Sequence, residues 1–240
     1  MANDSQIRLK DAAKYYGEEP HQTKAWDWLE GKLTGSQLES FQKMYRNEVG
    51  ERLPGKPDAQ PEATDGICTP DLMHRITGHA ASSFDSVFCN DCNRLFKDTG
   101  FDKHLDAMQM LMANMAHETC GFVYMMEIAS GSAYHYRSDL GNRGPDDGTR
   151  YKGAGVLQLT GRYNYQRLAD GINDQKVMDG VDYVANTYPF TSARIWIEEN
   201  DLLNVCLNQG FDACCVRING GWNGYDDRLR YYKICQREMK

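Results

Sequence analysis

The segment LDAMQMLMANMAHETCG (residues 105–121) constrains this chain more than any other. With Met108 as origin on a wheel of 100° per residue, Met112, Met115 and Thr119 fall within about 40° of it. A stripe of that kind is stable in water only against other helices, so it predicts a long amphipathic helix in a helical core. Yet the stripe ends in a His-Glu pair. Glu118 falls about 80° to one side, at the border of core and solvent, while His117 projects to the opposite side. A carboxylate at such a border is costly to desolvate and needs a partner or a task. Partial desolvation also raises a carboxyl's pKa, as a general acid working near neutrality requires. The plainer reading is a surface glutamate near a helix end.

Other stretches carry helical periods of their own. TPDLMHRITG opens with a Thr cap and a Pro at the first helical position. TSARIWIEENDLLNVCLNQG and FDACCVRING are helical by period, and DDRLRYYKICQREMK reads as a closing helix. Residues 133–165 read as Gly- and Tyr-rich loops, and strand signals are scarce. Residues 1–50 suggest a small helical module of three short helices, and GERLPGKPDAQPEATDG (50–66) has the composition of a solvated linker. The expected organisation is module 1–50, linker 51–66 and a mostly α domain over 67–240.

The net charge of −7 gives no basic footprint, which argues against nucleic acid. No apolar run is long enough to span a bilayer, so membrane insertion is not expected. The N-terminus lacks the apolar core of a secretory leader, which predicts a cytosolic start. Eight cysteines in 240 residues are too sparse for a disulfide scaffold, and reduced thiols are the expectation. Cys214 and Cys215 are adjacent and are read as free.

A second carboxylate, Glu127, follows Glu118 by nine residues. In an unbroken helix the two would face apart, so a bend at Gly121 is needed before both can address one cleft. Paired carboxylates across a scissile bond are the minimal equipment for glycoside hydrolysis. The loops supply sugar-binding chemistry: Gln158, Thr160 and Asn164 in 136–165, then Asn219, Trp222 and Arg228 in RINGGWNGYDDR. Aromatic faces serve as platforms for sugar rings and amides read hydroxyls. For each loop alone, a structural turn is the more common explanation.

Four segments in order, AHETCGF with Glu127 nine residues after Glu118, SDLGN, DGTRYKGAGVLQLTGRYNY and RINGGWNGYDDR, make residues 68–240 resemble glycoside hydrolase family 19. This chitinase-like group includes many bacteriophage endolysins. The resemblance implies a lysozyme-like helical fold, no cofactor and no catalytic metal. By position it implies that Glu118 is the general acid and Glu127 the second carboxylate, with Thr160 helping to hold the attacking water. It places Tyr151, Gln158, Asn164 and Asn219 in the substrate cleft and makes Arg228 a buried support of the carboxylates. It also implies inversion, for which carboxyls stand about 6.5–9.5 Å apart. Two positions depart from the family pattern. Cys120 stands where Gly is usual, and Ala154 replaces an Arg, an expected weakening of one electrostatic support. Asp139, Asp146 and Asp147 are the alternatives to Glu127.

The resemblance leads to an expected phage endolysin that cuts the glycan strands of peptidoglycan, acts as a monomer, and reaches the wall from the host cytoplasm once the membrane is permeabilised. The alternatives are a chitinase on the same scaffold, a non-catalytic glycan-binding or virion protein, and a lytic transglycosylase. HETCG lacks the second His of a zincin. His74, His79, Cys89 and Cys92 could hold a structural zinc, although a disulfide or buried thiols explain the same residues. Tyr15, Tyr16, Trp26, Trp28 and Tyr45 of the first 50 residues suit either a wall-binding surface or a small core.

Overall fold

The computed structural model describes residues 66–240; the expected N-terminal module and all of the linker except Gly66 lie outside the described residues. The helices are α1 (Pro70–Thr77), α2 (Ser86–Thr99), α3 (Leu105–Glu118), α4 (Asp147–Arg150), α5 (Arg162–Ile172), α6 (Val181–Thr187), α7 (Arg194–Glu199), α8 (Leu202–Asn219) and α9 (Tyr225–Glu238). Strand-like pairing among the described residues is limited to two isolated antiparallel bridges, Met126 with Ala154 and Ala154 with Leu159. No helix among them is long and apolar enough to cross a membrane.

Local chemistry sets the helix ends. Thr69 accepts the Leu72 N–H at 3.1 Å ahead of Pro70, and Gly78 closes α1 in the left-handed region, as the sequence predicts. Asp85 caps α2 through the Phe88 N–H at 2.9 Å. α8 is kinked at Gly210, where φ is 80° and ψ is −167°.

The Met-rich helix differs from its expected amphipathic form. Every residue of α3 from Ala107 to Ala116 is buried. α9 packs along it more extensively than any other pair of elements, and α8 covers a further side. A helix enclosed on several sides needs apolar residues all round, so its periodicity is weak. Each buried Leu or Met there contributes roughly 1.5–3 kcal/mol. The polar intrusions are satisfied: Gln109 donates to Met239 O at 3.0 Å and Asn114 to Met110 O at 2.9 Å.

α2 is not apparent from the sequence when Cys89 and Cys92 are read as a ligand motif. In the structure Cys89, Cys92, Leu95 and Phe96 are buried on one face, the thiols acting as small apolar groups. Cys92 Sγ lies 2.9 Å from Cys68 Sγ, and the Asn93 side chain brackets the Cys68 peptide. All eight cysteines are free. His74 instead turns its Nδ1 to the His79 carbonyl, 2.7 Å away. Among the described residues no three His, Cys, Asp or Glu side chains converge as metal ligands.

A second, smaller core forms in the region expected to be loop and just beyond it. Tyr151, Ala154, Tyr165, Leu168, Val177 and Val184 are buried there. A connection this long needs apolar packing of its own to hold one conformation. The described residues thus form two cores, and the candidate carboxylates are fixed to different ones.

Candidate active site

Glu118 is the last residue of α3. Its helix ends because Thr119 turns inward: its hydroxyl donates to Met115 O at 2.7 Å and accepts the Phe122 N–H at 2.9 Å. Cys120, Gly121 and Phe122 then run through φ values of 52°, 74° and 69°. This left-handed reversal is the bend required at Gly121, although it occupies three residues. A glycine at position 120 would meet this geometry without strain. A non-Gly residue in that region costs roughly 1–2 kcal/mol, and glycine's extra unfolded freedom returns about 0.5–1. Cys120→Gly is therefore expected to raise stability by about 0.5–1 kcal/mol, readable from the urea midpoint at unchanged slope.

The Glu118 carboxylate is 27% exposed and pairs with the fully buried Arg228. Arg228 reaches it from α9, donates through Nη1 to Asn114 Oδ1 at 2.8 Å, and bonds the Asn223 carbonyl through Nε at 3.3 Å. The border that the helical wheel leaves apolar is thus occupied by a cation. Arg228 engages Oε1, and among the described residues nothing donates to Oε2.

Glu127 belongs to the other core. Its Oε1 accepts from the Tyr134 hydroxyl and its Oε2 from the Gly153 N–H, each at 3.0 Å. Its own N–H bonds Gly153 O at 2.9 Å, and Lys152 Nζ donates to its carbonyl at 2.8 Å. The Tyr165 hydroxyl anchors the same segment at Lys152 O, 2.7 Å away. The bond to Glu127 pushes the Tyr134 phenol above its ordinary pKa. Half-buried Glu127 is therefore held in one orientation by two donors, as a group that must meet a substrate in fixed geometry requires.

Gln158 and Thr160, just before α5, and Asn164, in its first turn, form one hydrogen-bonded polar segment beside it. Gln158 sits at φ 55° and donates to Gly155 O at 2.9 Å; Thr160 donates to Gln158 O and Asn164 to Thr160 O, both at 2.8 Å. Gly153 is where this segment meets Glu127. A Cβ there would collide with Gln158 Oε1 and stand 3.2 Å from the Glu127 Cβ. Ala154, where the family pattern has Arg, is fully buried between its two bridging partners. Trp222 is 60% exposed on the turn before α9, edge-on to Tyr225 at 5.1 Å. Asn219 Oδ1 is buried with no hydrogen-bond partner among the described residues.

Tyr151 departs from its expected place in the cleft. It is 1% exposed, its hydroxyl donates to Met178 O at 3.3 Å, and its ring packs on Tyr165 and under Arg162. It supports the second core rather than facing a ligand. Among the alternatives to Glu127, Asp147 is buried and fully engaged. Arg162 grips both its oxygens at 2.7 and 2.8 Å, and the Arg143 and Gly144 N–H groups bond Oδ2. Asp139 is tied to Arg137, and Asp146 is exposed.

The Asp147 pair makes a pH prediction. The Arg162 hydrogen bonds, aided by the two amides and opposed by burial, hold its carboxyl well below the usual range. Its stabilising effect is fully present above the unfolded value near 3.8 and fades as pH falls from there toward the lowered folded value. Asp147→Asn is expected to cost about 2 kcal/mol at pH 7. The gap to wild type should narrow below pH 4 in parallel denaturation series.

Sequence reasoning missed Tyr134, the Gly153 amide, Asn114 and the His117–Asp227 contact, in which Nδ1 lies 2.8 Å from Oδ2. Only Asn114 left a signal, as a polar residue four positions before Glu118 inside an apolar run. One hollow, lined by residues including Asn93, Phe96, Asp102 and Met108, lies toward the other end of α3, away from both glutamates.

No protein-family model matches the chain. It is similar to a basic endochitinase of Brassica napus, 32% identical over 132 residues, which cover 51% of this chain and 48% of the relative. The chain spans about half the length of the curated relatives it matches. Among solved structures it resembles chitinase C of Streptomyces griseus, with a TM-score of 0.51 at 16% identity over 72% of this chain and 94% of that one. It also resembles a bacterial family 19 chitinase, with a TM-score of 0.52 at 17% identity over 70% of this chain and 95% of that one. The described domain therefore has the mostly helical fold of these chitinases.

Proposed function

We propose that this domain is a glycoside hydrolase that cleaves β-1,4 bonds between N-acetylated amino sugars, with peptidoglycan glycan strands as its substrate and phage-directed host lysis as its role. The observation that carries the reading is the placement of Glu118. It is a part-exposed carboxylate with one oxygen on a buried arginine and the other open, at a helix end on a chitinase scaffold. A second carboxylate is held on the other core. Glu118 donates its proton from Oε2 to the glycosidic oxygen. Glu127 takes a proton from water on the opposite face of the sugar, and Thr160 helps to place that water. Each Glu127 oxygen already accepts one bond, and a carboxylate offers about four acceptor sites, so room for the water remains. Residues 1–50 are proposed as a wall-targeting module that adds avidity through a second attachment. Action by a monomer that meets the wall after membrane permeabilisation belongs to the same reading.

A second substrate, chitin, is favoured by the relatives' designation as endochitinases. Chitin shares the β-1,4 link and lacks the lactyl ether on alternate rings. Purified peptidoglycan and chitin digested in parallel, with reducing ends identified by mass, separate the two. Release of reducing muropeptides supports the proposal; soluble products from chitin alone transfer the activity to chitin. Anhydro ends would make the protein a lytic transglycosylase, and no release from either polymer would leave a glycan-binding protein. Glu127→Gln is expected to lower turnover by about 10²–10⁴. Full activity in that variant would remove Glu127 as the base.

A further inference from the structure

Two successive residues at the end of α3, His117 and Glu118, bind two successive residues in the first turns of α9, Asp227 and Arg228. Asp227 is held from both sides. Its Oδ2 lies 2.8 Å from His117 Nδ1, and its Oδ1 accepts from Arg230 Nε and Nη2 at 2.9 and 2.7 Å. Burial works against its charge, yet these bonds keep the carboxyl below its usual range. An ionised acceptor requires Nδ1 to carry the proton, which fixes the donor of the pair. Gly224, at φ 70°, completes the seat, since a Cβ there would collide with the His117 ring.

We propose that the His117–Asp227 bond is a positioning clamp that fixes the rotation of the last turn of α3 and so aims the Glu118 carboxylate. This rests on the reading of Glu118 as the acid. The turn needs such a device because no helix follows it. Thr119 already leaves helical geometry, and Cys120–Phe122 reverse the chain. The backbone of the turn is anchored through Thr119 and through the Gly121 N–H, which bonds Ala116 O at 2.7 Å, but among the described residues the Glu118 side chain has only the Arg228 tether. A second tether from the adjacent position, about 100° around the helix, fixes the end of α3 against α9 and so sets the direction from which Glu118 meets Arg228. Misplacing a reacting group by about 1 Å can reduce rate about 10²-fold.

The experiment compares wild type with His117→Ala, His117→Asn, Asp227→Ala and the double Ala variant. The Asn amide nitrogen stands near where ring Nδ1 stood and can donate to Asp227. His117→Ala is expected to lower kcat on glycan about 10- to 100-fold, with KM within about 2-fold. Asp227→Ala should match it, the double variant should be no worse, and His117→Asn should recover most of kcat. The 13C carboxyl resonance of Glu118 reads orientation without turnover: a single line in wild type, broadened or shifted in His117→Ala, restored in His117→Asn. Unchanged kcat and an unchanged resonance in His117→Ala overturn the clamp while leaving Glu118 as the acid. Losses that follow a lowered Tm and are not recovered by Asn also overturn it, as a purely structural contact. Wild type that releases no glycan fragments, with the resonance still shifting as described, overturns the catalytic reading and keeps the clamp.

Discussion

Glu118→Gln is expected to reduce glycan hydrolysis at least about 10³-fold while leaving binding of intact glycan within a few-fold of wild type. Glutamine has nearly the same shape, and its amide oxygen can still accept from Arg228. The variant lacks only the proton for the leaving oxygen and the negative charge against the guanidinium. The missing proton blocks departure of the sugar, and among the described residues no other group is hydrogen-bonded to Oε2 to supply one. The missing charge leaves a fully buried cation less balanced, which costs about 1–3 kcal/mol. A modest fall in Tm should therefore accompany a near-complete loss of turnover. Steady-state kinetics on soluble glycan fragments, with binding by calorimetry, separates the two effects. Residual activity within about 10-fold of wild type would remove Glu118 from the reaction, whatever happened to Tm.

What the sequence disclosed of this site follows from where each contact originates. Glu118 was legible because it interrupts a helical period, and a period is a local property of the chain. The same holds for the Thr69 cap, the closing helix α9 and the end of α3. Gln158, Thr160 and Asn164 are close along the chain, so their neighbourhood was legible too. The partners of Glu127 were not. Tyr134 reaches it by a loop reversal and Gly153 through a backbone amide that carries no side-chain signature. Asp147 and Asp146 are adjacent and chemically alike. Only the approach of Arg162 across fifteen positions makes one of them a buried ion-pair partner. Tyr151 shows the opposite failure. The resemblance places its ring in the cleft, but this stretch builds a core and consumes the ring as packing. α2 was hidden because Cys89 and Cys92, left open as ligands, a disulfide or buried thiols, are apolar positions of its period.

Arg228→Met is expected to be among the most destabilising single changes in the domain, at about 2–4 kcal/mol, and to abolish turnover as well. The figure lies below the roughly 3–5 kcal/mol for breaking a fully buried pair, because the Glu118 side chain is 27% exposed and water partly compensates it. Asn114 receives no such relief. It is fully buried, and its Oδ1 would lose the 2.8 Å donor from Arg228. Lysine does not rescue the site, since one ammonium cannot span Asn114, Glu118 and the Asn223 carbonyl as a planar guanidinium does. At roughly 2–4 °C per kcal/mol, Tm should fall by about 5–15 °C. The double variant with Glu118→Gln then decides why the arginine is there. If the pair mainly stabilises the fold, the double variant should stay well below wild type, because removing the lone Glu118 charge returns only part of the loss. If the buried cation is kept to hold the acid, replacing both partners leaves little uncompensated charge, and the double variant should regain about 1–3 kcal/mol over Arg228→Met alone, coming within about 1 kcal/mol of wild type while remaining inactive. Stability at or above that of wild type, measured by denaturant titration, would show that the domain gives up stability at the end of α3 to keep one carboxylate in place.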